Sequence, residues 1–124
     1  MSDCVFCKIA RKEIPSQIVY DTDAVMAIKD LHPVSEGHTL VIPKAHYTDI
    51  FDMPQELLNE SIKAAKEISL KMRTEQGVQS VNILNCSGKA SGQSVYHFHI
   101  HLIPRRVDDS TTVLPNIEAL LKQK

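Results

Sequence analysis

The stretch that most constrains this chain is Tyr96-His97-Phe98-His99-Ile100-His101-Leu102-Ile103-Pro104. Imidazoles alternate there with large apolar side chains at a strict period of two, which is the period of a β-strand. In a strand, Phe98, Ile100 and Leu102 face a core, and His97, His99 and His101 share the opposite face. Pro104, with no N–H to give to a ladder, is expected to end the pairing. A lone histidine on a strand is ordinarily a satisfied surface side chain. Three of the chain's six, in register above an apolar stripe, point to chemistry instead. A purification tag is excluded, because a tag is contiguous and has no interleaved core face.

The pattern also limits which chemistry is open to it. Same-face neighbours on a strand lie roughly 7 Å apart, so the outer two Cα atoms are separated by roughly 13–14 Å. Zinc needs each nitrogen at about 2.0–2.1 Å. One or two of the rings could reach one ion, but all three could hardly converge, so the three divide the labour. A row of rings that donate protons or carry positive charge suits an extended anion such as a phosphate ester. Histidine is also a covalent nucleophile, and its unperturbed pKa of about 6.5 leaves most rings neutral at neutral pH.

The 124 residues fit one compact domain, 1–124, and the charges nearly cancel at a net −1. That balance offers no broad field to nucleic acid or to an anionic membrane. Arg105-Arg106 form a local basic pair, closely followed by Asp108-Asp109. No apolar run approaches the ~20 residues that span a bilayer, and the opening residues lack the apolar segment of a secretory signal. Three cysteines, two of them in a C-x-x-C, argue against an oxidised secreted framework. The expected location is cytoplasmic.

Taken in order, Val5, Phe6, Ile9 and Ala10 give residues 4–13 one or two helical turns, capped by Asp3 and ended by Pro15. Strands are expected over 17–20, 24–29, 38–43 and 80–85, with the histidine strand fifth. Asp52 and Gln55 resemble a capping box. Leu58, Ile62, Ala65, Ile68 and Met72 then recur at helical spacing, and Gly77 is a natural stop. In the tail, 107–124, Pro115 opens a possible short helix carrying Ile117, Leu120 and Leu121. The expected class is α+β: a roughly five-stranded antiparallel sheet with one long helix over a face and a short N-terminal helix.

Two further motifs stand beside the triad. Residues 87–94 match no standard phosphate loop, since Gly88-Lys89 is followed by Ala90 and no G-x-G-x-x-G occurs. Position is what gives this loop value: Gly92-Gln93-Ser94 would bring N–H groups and a hydroxyl beside the imidazole row. Cys4-x-x-Cys7 is half a zinc site or simply two buried small side chains; His46 and His97 are the best candidates to complete it. A thioredoxin-type pair fits worse, because no βαβ unit surrounds it. His38 opens a strand that could lie beside the triad. Cys86 and His32 are given no role.

With Arg11-Lys-Glu-Ile-Pro15, Gly37-His-Thr-Leu-Val-Ile-Pro-Lys44 and Gly92-Gln-Ser-Val-Tyr-His-Phe-His-Ile-His101 together, the chain resembles the histidine triad (HIT) family on its Hint-like branch. The resemblance implies a homodimer with one continuous sheet and a purine nucleotide as ligand. It implies hydrolysis of nucleoside 5′-phosphoramidates or related esters through a nucleotidyl-histidine on His99. His101 and His38 would polarise phosphate oxygens, His97 would support the neighbouring rings, and Ser94 would help protonate the leaving group. Asp30 would take the ribose hydroxyls. Phe6, Ile9, Ile28 and Leu31 would form the base slot, with Asn85 and Gln93 on the phosphate or leaving-group side. A structural zinc on Cys4, Cys7, His46 and His97 is implied, with no metal at phosphorus. The implied alternatives are a dinucleoside polyphosphate hydrolase and a nucleotide-binding regulatory module with little turnover.

Overall fold

The computed structural model describes residues 4–106. In chain order the elements are α1 (Val5–Ala10), β1 (Ile18–Asp21), β2 (Val25–Lys29), β3 (Thr39–Pro43), α2 (Gln55–Gln76), β4 (Ser80–Leu84) and β5 (Ile100–Arg105). The strands form one antiparallel sheet in the order β1-β2-β3-β5-β4. This is the α+β arrangement expected from the sequence, with β1 and β4 at the edges.

Each face of the sheet has its own cover. Val25, Ala27, Val41, Phe98, Ile100 and Leu102 pack against Ala64, Ala65, Ile68 and Met72 of α2. On the opposite face Met26, Ile28, Leu40 and Ile42 meet Phe6 and Ile9 of α1. Central strands covered on both sides lose the polar half of the period-two pattern, which is why β3 is buried at every position. The alternation of the histidine stretch therefore holds: its apolar residues go to the α2 face, leaving the imidazoles to the α1 face.

Several local expectations are corrected. β5 starts only at Ile100, so His97 and His99 precede the ladder. Hydrogen bonds from Phe98 N–H to the Tyr47 carbonyl (2.7 Å) and from Asn85 Nδ2 to the His99 carbonyl (2.9 Å) hold that half instead. Pro104 does not end the strand. Its carbonyl turns to the β3 side and accepts from Ser35 Oγ at 2.6 Å. The ladder with β3 has already stopped at Leu102, so the missing N–H costs no strand partner.

The capping box also fails to form. Pro54 occupies the N-cap of α2 with no side-chain cap, and the Asp52 carboxylate closes the preceding turn by accepting from Thr48 and Asp49 N–H. Ile62 is half exposed; the buried stripe is Ser61, Ala64, Ala65, Ile68 and Met72. Ser61 can lie inside because its hydroxyl donates to the Leu57 carbonyl at 2.9 Å. Cys4 is the N-cap of α1, its sulfur accepting from Cys7 N–H. Asp3 and the expected tail helix lie outside the described residues.

Two glycines mark places where backbone conformation is demanding. Gly37, just before His38, has φ +94°, and a Cβ there would sit 3.3 Å from Pro104 Cγ. Gly77, at the end of α2, has φ +69° with open space around it. Gly37→Ala is expected to lower unfolding free energy by about 2 kcal/mol, and Gly77→Ala by about 1 kcal/mol. Urea titrations of the two variants check both the sizes and their order.

Candidate active site

The four histidines His38, His97, His99 and His101 are almost wholly buried, so each polar ring atom needs a partner. Those partners fix which nitrogen carries each proton. The His97 carbonyl lies 2.8 Å from His99 Nδ1. A carbonyl can only accept, so Nδ1 holds the proton and Nε2 of His99 presents a lone pair. Val34 N–H donates to His38 Nδ1 at 3.0 Å, which puts the His38 proton on Nε2. That Nε2 is 3.0 Å from His101 Nδ1 and 3.4 Å from Asp30 Oδ2. His101 Nδ1 therefore accepts, and its own proton sits on Nε2. The row thus presents a lone pair on its middle ring and an N–H on the next, with ring centroids 5.0 Å apart.

The α1 face supplies an apolar wall to this row. The Phe6 ring stands edge-on to His99 at 5.1 Å and to His97 at 5.8 Å. Ile9 and Ile28 belong to the same buried cluster as Phe6. Leu31 does not join them and is 87% exposed. Asp30 sits at the end of β2, where its Oδ1 accepts from His32 N–H at 2.9 Å.

A second cluster shares His97. Its Nε2 donates to the Pro43 carbonyl at 2.7 Å, leaving a lone pair on Nδ1, 3.4 Å from Cys4 Sγ and 3.5 Å from Cys7 Sγ. His46 Nδ1 is 3.3 Å from Cys7 Sγ. One ligand atom from each of Cys4, Cys7, His46 and His97 lies within 4.8 Å of the others. Two sulfurs and two imidazoles, one ring oriented by a main-chain carbonyl, are the donor set and outer contact of a tetrahedral zinc site. Burial, with help from the neighbouring His46 and His99, pushes the His97 imidazole down to about 4, against the Pro43 carbonyl, so its Nδ1 is available to a metal at neutral pH. Burial first, then the adjacent Cys4, pushes the Cys7 thiol up.

Asp30, His38 and His101 also bring three ligand atoms within 4.8 Å. A cation there would have to displace the His38 Nε2 proton onto Nδ1, against the Val34 N–H already aimed at it. The three side chains form one connected polar chain, Asp30 to His38 to His101.

The loop residues hold the frame. Gln93 is buried; its Oε1 accepts from Gly88 N–H at 2.7 Å and its Nε2 donates to the Thr48 carbonyl at 2.6 Å. Gln93 N–H itself bonds back to the Gly88 carbonyl. Asn85 holds the His99 carbonyl through Nδ2 and accepts from Ser87 Oγ at 2.6 Å. Ser94 is exposed at the end of this loop. The structure therefore brings together His38, His97, His99, His101, Asp30, Phe6, Ile9 and Ile28, and separately the four cluster residues, while Ser94 and Leu31 stand at the periphery. What sequence reasoning missed is the main chain: Val34 N–H and the Pro43 and His97 carbonyls set the tautomers of His38, His97 and His99, and no side-chain pattern announces them.

The HIT domain family model matches residues 11–108. The chain belongs to the HIT family. This HIT protein is 38% identical over 111 residues to the adenosine 5′-monophosphoramidase of Saccharomyces cerevisiae, covering 90% of this chain and 68% of that one. It is 40% identical over 108 residues to an adenylylsulfatase of Arabidopsis thaliana, covering 87% of this chain and 55% of that one. Among solved structures, a Zn-bound histidine triad family protein from Mycobacterium smegmatis matches with a TM-score of 0.85 at 31% identity, over 98% of this chain and 95% of that chain. The resemblance stated from the motifs is thus borne out for family and fold. The Cys4-Cys7 pair with its two histidines fits the zinc-binding type.

The low pKa of His97 carries a stability consequence for the metal-free protein. Unfolded, this ring titrates at about 6.5; folded, at about 4. As pH falls below about 6.5 the unfolded chain takes up the proton and the folded one does not. The stability held by neutral His97 is complete above that pH and is lost progressively down to about 4. Denaturation midpoints of chelator-treated protein should fall across that window, and less steeply in His97→Gln.

Proposed function

We propose that this HIT protein hydrolyses purine nucleoside 5′-phosphoramidates and related esters of nucleoside monophosphates through a nucleotidyl-histidine on His99. The observation that carries the reading is the His99 Nδ1–H bond to the His97 carbonyl at 2.8 Å, because it leaves Nε2 as a nucleophile without any separate base. Nε2 attacks the α-phosphorus and the P–N bond to the leaving amine breaks. The amine departs with a proton supplied through the Ser94 hydroxyl. Water then displaces His99 and releases the nucleoside monophosphate. His101 Nε2–H, held by His38, stabilises charge developing on the phosphoryl oxygens. Asp30 accepts from the ribose hydroxyls, and Phe6, Ile9 and Ile28 back the base. Leu31 would gain burial by closing over it. Asn85 and Gln93 act by holding the His99 main chain and the 87–94 loop.

The names of the two relatives support a nucleoside monophosphate carrying a labile leaving group, and the amide-cleaving one favours the phosphoramidate. Zinc on Cys4, Cys7, His46 and His97 would tie α1 to the segment before β5. It supplies cross-linking there and takes no part at phosphorus. A homodimer is supported by the free edge of β4 together with exposed Ile62, Leu70 and Ile83. A cytoplasmic setting suits three cysteines that form no disulfide among the described residues.

Steady-state kinetics on adenosine 5′-phosphoramidate, adenylyl sulfate and diadenosine polyphosphates test the substrate class. The phosphoramidate should give the highest kcat/KM; a preference for diadenosine polyphosphates would move the protein to the alternative hydrolase class. His99→Ala should lower phosphoramidate turnover by at least about 10³-fold while AMP still binds. Ser94→Ala should cost about 10²-fold, most with poor leaving groups. In sedimentation the protein should run as two copies, and Ile83→Glu should shift it toward one.

A further inference from the structure

We propose that Cys4 and Cys7 form an oxidisable dithiol: a hydroperoxide converts the pair to a disulfide, ejects the metal and slackens the wall against His99. This rests on the zinc and nucleotide readings above for its consequences, though not for its chemistry. Cys4 is the N-cap of α1, with an extended ψ of 118°, and its sulfur already lies over the first turn accepting from Cys7 N–H at 3.4 Å. The two sulfurs are within 4.8 Å of each other, so bonding needs at most roughly 3 Å of closure. Access is asymmetric. Cys4 is partly exposed and Cys7 is buried, so an oxidant meets Cys4 first and Cys7 stands behind it as the resolving thiol.

Cys4 Sγ attacks one peroxide oxygen, breaking the O–O bond, and becomes a sulfenic acid while hydroxide leaves. Cys7 Sγ then attacks Cys4 Sγ and expels a second hydroxide. The two sulfurs give up two electrons, the peroxide takes them, and two protons convert both hydroxides to water. A zinc ion held by this cluster loses two of its four ligands, and the imidazoles of His46 and His97 alone do not retain it against a chelator.

The cluster adjoins the apolar wall of the imidazole row. Phe6, between the two cysteines, touches both His97 and His99 at 5.8 and 5.1 Å. Ile9, on the same short helix, packs with Ile28. A helix of six residues has little stability of its own, so its position depends on these contacts and on the cluster. Releasing the metal therefore loosens the apolar wall while leaving β5 and its ladder intact.

The test uses the full chain carrying Cys86→Ser, reconstituted with one equivalent of zinc and titrated with hydrogen peroxide. Three quantities are followed: zinc release by a colorimetric chelator, the state of Cys4 and Cys7 by peptide mass spectrometry, and AMP affinity by calorimetry. The expected result is one zinc released per Cys4–Cys7 disulfide, AMP affinity weakened about tenfold, and both restored by dithiothreitol with added zinc. Failure to take up zinc, retention of zinc after oxidation, or over-oxidation of Cys4 without the disulfide overturns the proposal. Unchanged AMP affinity after zinc release overturns the coupling to the wall. If the reduced, zinc-loaded protein fails to bind AMP at all, the nucleotide reading falls and the thiol and zinc measurements still decide the oxidation chemistry.

Discussion

The hydrogen bond from His99 Nδ1 to the His97 carbonyl is the contact on which the rest of this HIT fold depends. It joins two residues two apart in sequence, so it exists only while the backbone from 97 to 99 keeps its present course, which leaves a bend at His97. No neighbouring strand enforces that course, because β5 begins at Ile100. Tyr47 and Asn85 enforce it from either side, and each is held in turn. The 46–52 turn is closed by Asp52 and braced by Gln93, and Asn85 is braced by Ser87, whose hydroxyl oxygen accepts from Ile50 N–H. The loops around the triad stand in for a missing length of ladder.

His97 is where the two clusters of this face meet. Its carbonyl orients the ring of His99, its Nε2 is spent on Pro43, and its Nδ1 turns to the two thiols. One residue thus sets the tautomer of its neighbour with its backbone and offers a metal ligand with its side chain. Such double use demands a rigid residue, and complete burial provides that. The double use also sets the residue that the proposed zinc would tie to α1 directly beside the ring proposed as nucleophile.

Much of this was legible in the sequence because it rests on side-chain periodicity. Alternation at 96–102 assigned the imidazoles to one face and Phe98, Ile100 and Leu102 to the core under α2. The 3.6-residue spacing and Gly77 located the long helix and its end. The errors came where tertiary contacts replaced local rules. Pro104 continues β5 because β3 has already stopped beside it, Asp52 caps a turn instead of a helix, and Ile62 faces outward while Ser61 is inside. The tautomers of His38, His97 and His99 were illegible for a different reason: they are set by main-chain groups of Val34, Pro43 and His97, which every sequence contains equally.

The most direct measurement is the two-bond 15N–1H spectrum of the histidine rings in the reduced protein near pH 7.5. It reports which ring nitrogen of each histidine carries the proton, independent of any substrate. The expected result is His99 protonated on Nδ1 and not on Nε2, with His38 and His101 each protonated on Nε2. A His99 ring protonated on Nε2, or on both nitrogens at that pH, would contradict the proposed attack by His99, because that nitrogen would then have no lone pair to offer.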